Sequence, residues 1–392
     1  MILTMKYIDS LPQSELSNKK ILVRVDFNLP VEHGRISSDY RVQAVQKTID
    51  YLLGAGAKVA LLSHITDIET FSPIVSQISE ILGKEIFFVS DCVGPAVVEA
   101  LNEHNFVLLE NVRRHEGEEK NDDAFAQQLA KGPALSERSE PKGFDFYVND
   151  AFAVAHRKHA SVSAITKYID SYAGFLMKDE IENLSRAIQA PAEGKVLVLG
   201  GAKISTKLPV VKHFLDKAER ILIGGALANN FLKFKGLEVG KSLIDAEDIN
   251  SLEGLDMSKV VIPEDVVTAP DTLAVSKAEI KDADKVAGEE MILDIGTKTA
   301  AKYADFIGKA GMVIWNGPMG LSETEAFAEG TRKIAEAVAA AKNSIIGGGD
   351  TISEVTKLGL LKKYSFVSIG GGAMLIFLGG EKLPALEALR YY

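Results

Sequence analysis

The stretch Ser344-Ile345-Ile346-Gly347-Gly348-Gly349-Asp350-Thr351 carries the residue types of a phosphate site. An apolar run reads as the end of a buried strand, and three glycines let bare backbone approach a ligand. Asp350 and Thr351 stand where a helix would begin. A helix start offers unpaired N–H groups and a partial positive charge, which together favour phosphate. Asp350 could hold a cation that bridges phosphate oxygens. Taken alone, these residues fit an ordinary strand-to-helix turn equally well. Gly200-Gly201-Ala202-Lys203-Ile204-Ser205-Thr206-Lys207 repeats the logic: glycines after an apolar run, then two lysines whose spacing shares one helix face. Trp315-Asn316-Gly317-Pro318-Met319-Gly320 and Ser368-Ile369-Gly370-Gly371-Gly372-Ala373 add two more glycine turns. Together they read as a polyphosphate cradle in the second half of the chain.

The first half concentrates cations instead. Arg24, Arg41, Arg113, Arg114, Arg157 and Lys158 concentrate at the expected strand ends, with His64, His115, His156 and His159 nearby. The planar guanidinium fork suits phosphate and carboxylate. Several such groups at successive strand ends point to a small anionic substrate. Other motifs lead elsewhere. Gly236-Leu237-Glu238-Val239-Gly240-Lys241-Ser242 resembles a P-loop but is one residue short between its glycines, and Lys235 stands where a glycine is required. The first apolar run is not followed by G-x-G-x-x-G, which disfavours a nicotinamide-dependent oxidoreductase. His156 and His159 lack an acidic or third metal ligand beside them and read as anion contacts.

These residues need elements to hold them. Apolar, β-rich runs occur at 21–25, 59–62, 86–89, 106–109 and 144–148, then at 196–199, 221–223, 260–262, 291–293, 312–315, 344–346 and 366–369. Helical stretches separate them; in 325–341, Phe327, Thr331, Ile334 and Val338 share one face. Strand alternating with helix predicts parallel sheets covered on both faces. Asp26, Asn28, His64, Asn111, Arg113, Asn149, Asp150, Lys203 and Asn316 all lie just past such runs. In open α/β sheets, ligands bind at the carboxyl ends of the strands. The expectation is therefore two sheets, each with one binding edge, divided within 173–190. Residues 177–184 read as a helix, and Pro191-Ala192-Glu193-Gly194 interrupts before the next strand. Residues 132–143 look like a solvated loop, and 383–392 a short helix with Pro384 near its start.

Composition agrees. The 392 residues exceed one compact core, and 46% hydrophobic with 25% charged residues is a globular balance. The formal net charge of −10 disfavours a nucleic-acid partner. No apolar run approaches the ~20 residues that span a bilayer, and the N-terminus lacks a signal-peptide layout. The single cysteine, Cys92, excludes an internal disulfide framework and a multi-cysteine metal site, and fits a reducing cytoplasm.

At this point the chain resembles the phosphoglycerate kinase family. The resemblance rests on Arg24-Val25-Asp26-Phe27-Asn28-Leu29-Pro30, Leu108-Leu109-Glu110-Asn111-Val112-Arg113 and Tyr147-Val148-Asn149-Asp150-Ala151-Phe152. It rests equally on the glycine turns at 200–203, 315–320 and 347–351, all in the family's order over nearly the whole chain. It implies two Rossmann-like parallel-sheet (α/β/α) domains joined by a hinge helix. The expected division is 1–172 for 3-phosphoglycerate, with a tail at 376–392 packing back on it, and 173–375 for the hinge helix and nucleotide domain. The implied reaction is reversible phosphoryl transfer between 1,3-bisphosphoglycerate and ADP, giving 3-phosphoglycerate and ATP in glycolysis, by in-line transfer on domain closure.

The resemblance also assigns residues. Arg41 and Lys203 match the groups that stabilise the migrating phosphoryl. Asp26, Phe27, Asn28, Arg41, His64, Arg113 and Arg157 match substrate-binding positions. Lys207, Asn316, Glu323, Gly348, Gly349, Asp350 and Thr351 match nucleotide contacts, with Asp350 on Mg2+ carried as Mg-ADP or Mg-ATP. Gly370, Gly371 and Gly372 match a transition-state glycine loop. A cytoplasmic monomer is the family expectation, with no membrane or nucleic-acid partner. The acceptor is a carboxylate, ionised at neutral pH, so no general base is required; catalysis rests on positioning and on cations around the migrating group.

Some positions depart from the family pattern. Ile65-Thr66-Asp67 replaces the usual Gly-Arg-Pro in a shortened loop, Thr206 a usual aspartate, Ile369 a usual threonine, and Ala226 a usual glycine, while 132–143 has the look of an insertion. Either Arg114, with Lys158, replaces the missing arginine, or 3-phosphoglycerate binds weakly. The alternative to an active kinase is a weakened relic acting as a ligand-binding or regulatory protein.

Overall fold

The computed structural model describes residues 5–131, 143–246 and 249–392. The expected loop and insertion at 132–143 thus lies, but for Gly143, outside the described residues. The chain divides into two compact units, Met1–Ile181 with Lys382–Tyr392, and Glu182–Glu381. The 15-residue helix Phe175–Gln189 carries the chain from one into the other.

In the first unit, β1 (Lys20–Arg24), β2 (Lys58–Leu62), β3 (Phe87–Val89), β4 (Phe106–Leu109), β5 (Phe146–Asn149) and β6 (Ser171–Ala173) form one sheet. Their order is β3-β4-β2-β1-β5-β6, parallel throughout. The strands read as nearly unbroken apolar runs because helices cover both faces. Leu22, Ala60, Leu62, Val107 and Leu109 pack against Leu101, Phe125 and Leu129 of the flanking helices. From β1 the chain builds first toward β2 and later toward β5, so the topological switch falls between β1 and β5. Asp26 and Asp150 lie just past that point, and the Asp150 N–H donates to the Arg24 carbonyl at 2.8 Å. The segment Lys382–Tyr392 belongs to this unit. It includes the helix Pro384–Ala388, and the Ala385 N–H donates to the Ala155 carbonyl at 3.0 Å.

The second unit repeats the plan with β7 (Lys195–Leu199), β8 (Arg220–Ile223), β9 (Val260–Val261), β13 (Met312–Asn316), β14 (Ser344–Gly347) and β15 (Phe366–Ser368). The order is β9-β8-β7-β13-β14-β15, again parallel. Its switch point lies between β7 and β13, each of which ends in a glycine turn. A separate antiparallel sheet, β11-β10-β12, is made of β10 (Asp265–Ala269), β11 (Glu279–Asp282) and β12 (Met291–Ile295). The sequence reading placed 291–293 among the parallel strands; it pairs antiparallel with β10 instead. The apolar face predicted over 325–341 appears on the helix Glu329–Ala339, where Thr331, Ile334 and Val338 are buried, with Phe327 in a preceding 3-10 turn.

Candidate active site

The residues just past the strands of the first sheet form a basic, hydrogen-bonded edge. Arg24 is only 1% exposed. Its Nε donates to Ser161 Oγ at 2.9 Å and Nη2 faces His64 Nδ1 at 3.2 Å, while Nη1 donates to the Val25 carbonyl. Ser161 in turn donates its N–H and hydroxyl to buried Glu118, at 2.8 and 2.6 Å. Arg24 is thus a buried support rather than a cation open to a ligand. A guanidinium can only donate, so His64 Nδ1 accepts and the proton sits on Nε2. Burial, then Arg24, Arg113, Arg157 and Arg41, push the His64 pKa down to about 2. The neutral ring is therefore fixed as an N–H donor, with the charges of four guanidinium groups acting on it.

Arg41 Nη1 donates to Asp26 Oδ2 at 2.7 Å and to the Asn28 carbonyl at 2.9 Å. Asp26 is buried, and its other oxygen accepts the Asn28 N–H at 3.2 Å. Both carboxylate oxygens are engaged within the protein. Asn28 Oδ1 accepts from the N–H and hydroxyl of Thr66, at 3.0 and 2.9 Å. Phe27 is buried and donates its N–H to Ser63 Oγ at 2.8 Å, so it supports the turn through its backbone. Arg113 is mostly buried, with Nε 3.2 Å from Glu119, and Arg157 is exposed.

Asp67, at the departure from the family loop, is exposed, and its Oδ2 accepts the Val31 N–H at 3.2 Å. Asp67, Arg113 and Arg114 line a cavity of about 330 Å³, and Arg114 Nη1 lies 3.1 Å from Glu110. A cation thus stands on the cavity that holds Asp67, with its charge partly matched by Glu110. His159 Nδ1 lies 3.7 Å from Glu118, and His115 Nε2 lies 2.9 Å from Asp91.

In the second unit the glycine turns interlock. The Gly200 N–H donates to the Asn316 carbonyl at 2.9 Å, and Gly201 donates to the Pro318 carbonyl at 2.9 Å. Gly317 adopts φ +93°, and a Cβ there would lie 2.4 Å from the Gly200 carbonyl carbon, so only glycine fits. Thr351 is buried, with its Oγ1 accepting the Gly317 N–H at 2.8 Å; it pins the turn of β14 to that of β13. Gly348, at φ +98°, brings its Cα face against Asn316, where a Cβ would stand 3.0 Å from Nδ2. Lys203 stands at the N-cap position of the helix Ile204–Phe214, without a side-chain cap, and is exposed, whereas Lys207 is buried at the end of its first turn. Burial lowers the Lys207 pKa, Asp350 opposes that shift and Lys203 adds to it, which places the three charges in one electrostatic neighbourhood. Thr206 donates its hydroxyl to the Lys203 carbonyl at 3.2 Å. Gly371, at φ +50°, turns the chain into the helix Gly372–Leu378, and the Gly370 N–H donates to Ser368 Oγ at 3.1 Å.

A cavity of about 420 Å³ opens beside these turns. Asp350 and Glu323 stand on it, together with Gly201, Ala226, Leu243, Leu293 and Met319. Its size and mostly apolar wall suit a flat aromatic base with phosphates at the polar end. The sequence reading missed the apolar wall because Leu243, Leu293 and Met319 carry no sign that separates them from core residues. It missed Asn229 too, a cavity residue 1% exposed whose Oδ1 has no partner among the described residues. A second cavity of about 410 Å³, lined by Val267, Ile280, Ala300 and Lys333 among others, holds none of the candidate residues.

Comparison with known proteins agrees with this geometry. The family model described as phosphoglycerate kinase matches residues 11–381. A phosphoglycerate kinase of Moorella thermoacetica is 42% identical over 97% of this chain and 98% of its own length. That of Geotalea daltonii is 43% identical over 98% of each. Among solved structures, phosphoglycerate kinase from Pyrococcus horikoshii superposes with a TM-score of 0.85 at 32% identity, covering 99% of both chains. The enzyme from Coxiella burnetii gives 0.82 at 36% identity, over 98% of both.

Proposed function

The chain belongs to the phosphoglycerate kinase family, and we propose that its two strand-end sites divide that family's reaction between them. The reaction is reversible phosphoryl transfer between 1,3-bisphosphoglycerate and ADP, giving 3-phosphoglycerate and ATP. The observation that carries the division is the contrast of the two edges. On one, four guanidinium groups act on a neutral histidine; the other interlocks glycine turns beside a cavity on which Asp350 stands, with Lys207 within the electrostatic reach of that carboxylate.

In this reading Arg113, Arg157, the His64 Nε2–H and the Asn28 amide bind 3-phosphoglycerate, all as donors to anionic oxygens. Asp26 acts through Arg41, holding its guanidinium toward the substrate. Lys207, the N–H groups of Gly348 and Gly349 and the Asn316 amide hold the nucleotide, and Thr351 fixes the turn that presents them. Glu323, on the cavity wall, takes the sugar end of the nucleotide. Asp350 is exposed on the cavity, and one carboxylate with phosphate oxygens is a ligand set that Mg2+ accepts. Asp350 would therefore hold the Mg2+ of the Mg-nucleotide, which neutralises charge on the phosphates. Lys203, at the exposed start of its helix, and Arg41 meet the oxygens of the migrating phosphoryl, with Gly370, Gly371 and Gly372 offering backbone donors. The substrate carboxylate is already ionised, so no residue has to remove a proton.

Asp67 and Thr206 depart from the family pattern, but Arg41, Lys203 and Asp350 are all present and the comparisons give the relic alternative no support. Among the described residues no helix is long and apolar enough to cross a membrane. We place the enzyme in the cytoplasm as a monomer, consistent with its one buried cysteine. Crossed calorimetric titrations test the division of labour. Arg157→Ala should weaken 3-phosphoglycerate by about 10- to 100-fold, one charge-assisted hydrogen bond, and leave Mg-ADP unchanged. Asp350→Ala should do the reverse. Equal losses of both ligands in either variant would refute the assignment.

A further inference from the structure

Beyond the two substrate edges, Asp91, Cys92 and His115 bring one carboxylate oxygen, the thiol sulfur and one imidazole nitrogen within 4.8 Å of one another. The topology explains the meeting. Strands β3 and β4 are parallel neighbours, with Val89 opposite Leu109. Asp91 and Cys92 follow the end of β3, and His115 follows the 3-10 turn Val112–Arg114 after β4. His115 Nε2 already lies 2.9 Å from Asp91 Oδ1, and its ring stacks on Phe125 at 5.0 Å between centroids. Asp91 Oδ1 is further held by the N–H groups of Cys92 and Val93, at 2.6 and 3.2 Å. The donor set is therefore pre-positioned by backbone and stacking.

We propose that Asp91, Cys92 and His115 form a binding site for a borderline transition-metal dication such as Zn2+ or Co2+. A mixed sulfur, nitrogen and oxygen set is what these ions accept, and what Mg2+ and Ca2+ do not. With metal–ligand distances of about 2.0–2.3 Å, tetrahedral donors stand about 3.3–3.6 Å apart. His115 and Asp91 need to separate by only a few tenths of an ångström, and the Cys92 sulfur to swing inward. Three protein ligands leave a fourth position for water. Cys92 is 2% exposed, while the Asp91 and His115 side chains are 46% and 32% exposed, so the ion enters from their side. Burial first, then the Asp91, Glu118 and Glu110 carboxylates, push the Cys92 thiol up, a cost the bound ion has to offset, while the same carboxylates add negative charge around a dication. Binding converts the thiol to a thiolate and releases its proton to the buffer. The ion would tie the β3 and β4 ends together, two residues from Arg113.

Cys92 is the only thiol in the chain, which makes the test specific. The full chain, free of nucleotide and under anaerobic conditions, is titrated with Co2+ while its absorption spectrum is followed. A thiolate-to-cobalt charge-transfer band should grow and saturate at one equivalent, and Zn2+ should displace it. Cys92→Ser should abolish the band. The surface variants Asp91→Ala and His115→Ala, which should retain kinase turnover and so prove folded, should each weaken Co2+ at least tenfold. The absence of a band in the wild-type chain would overturn the proposal. So would a band that Asp91→Ala and His115→Ala leave unchanged, since the thiol would then bind metal unaided.

Discussion

Asp26→Asn separates a substrate ligand from a residue that positions one. In the resting geometry Asp26 is 2% exposed, and its two oxygens accept from Arg41 Nη1 at 2.7 Å and from the Asn28 N–H at 3.2 Å. Asparagine keeps the shape and can still accept from the Asn28 N–H. It then turns its amide nitrogen toward Arg41 and loses the ion pair. A hydrogen bond to a charged group contributes about 1.5–3 kcal/mol. The Arg41 side chain is 35% exposed, so water recovers part of that, leaving about 1–2 kcal/mol. If that energy holds Arg41 in place for the substrate, kcat/KM should fall about 5- to 30-fold. The assay is a double-mutant cycle in a coupled NADH-linked measurement, with Asp26→Asn made in the wild-type and Arg41→Ala backgrounds. Acting through Arg41, Asp26→Asn should cost little or nothing once Arg41 is gone. An equal loss in both backgrounds would refute the reasoning and return Asp26 to direct contact with 3-phosphoglycerate.

Lys203→Ala should fold normally and keep nucleotide affinity within a few-fold, yet turn over at least about a hundredfold more slowly, the typical cost of one preorganised donor at the migrating charge; a wild-type kcat would remove it from the mechanism. Asp150 is fully buried, and burial pushes its pKa up to about 7. Between pH 4 and 7 the folded state therefore holds a proton that the unfolded state has released, and stability contributed by this group is lost as pH rises. Asp150→Asn removes that dependence, so urea unfolding should find the variant gaining on wild type by up to about 1.4 kcal/mol per pH unit across this window. A difference that stays constant from pH 5 to pH 7 would contradict the buried, protonated carboxyl.

Much of the architecture was legible because β1, β2, β4, β7, β13 and β14 are buried on both faces, which writes them as continuous apolar runs such as Lys58–Leu62. The antiparallel sheet was less so. Glu279–Asp282 is largely exposed and reads Glu-Ile-Lys-Asp, with no apolar period to mark it, and Ser171–Ala173 is too short to stand out. At the site, the glycine turns and the arginines past the strands announced phosphate chemistry. What stayed hidden was how side chains are spent. Arg24 looked like an anion contact and lies beneath the site, bonded to Ser161 and His64. Glu118, which anchors that network through Ser161, belongs to no motif, because it works by a contact 43 residues away. Nothing in the sequence showed that Asp67 would accept the Val31 N–H.

The most direct test of the kinase reading is ATP formation by the purified chain from 1,3-bisphosphoglycerate, Mg2+ and ADP, followed by a hexokinase-linked assay. The account predicts multiple turnovers, reversed when 3-phosphoglycerate and Mg-ATP are supplied instead, and reduced at least about a hundredfold in Lys203→Ala. A folded wild-type chain that binds both ligands in calorimetry and forms no ATP would contradict it.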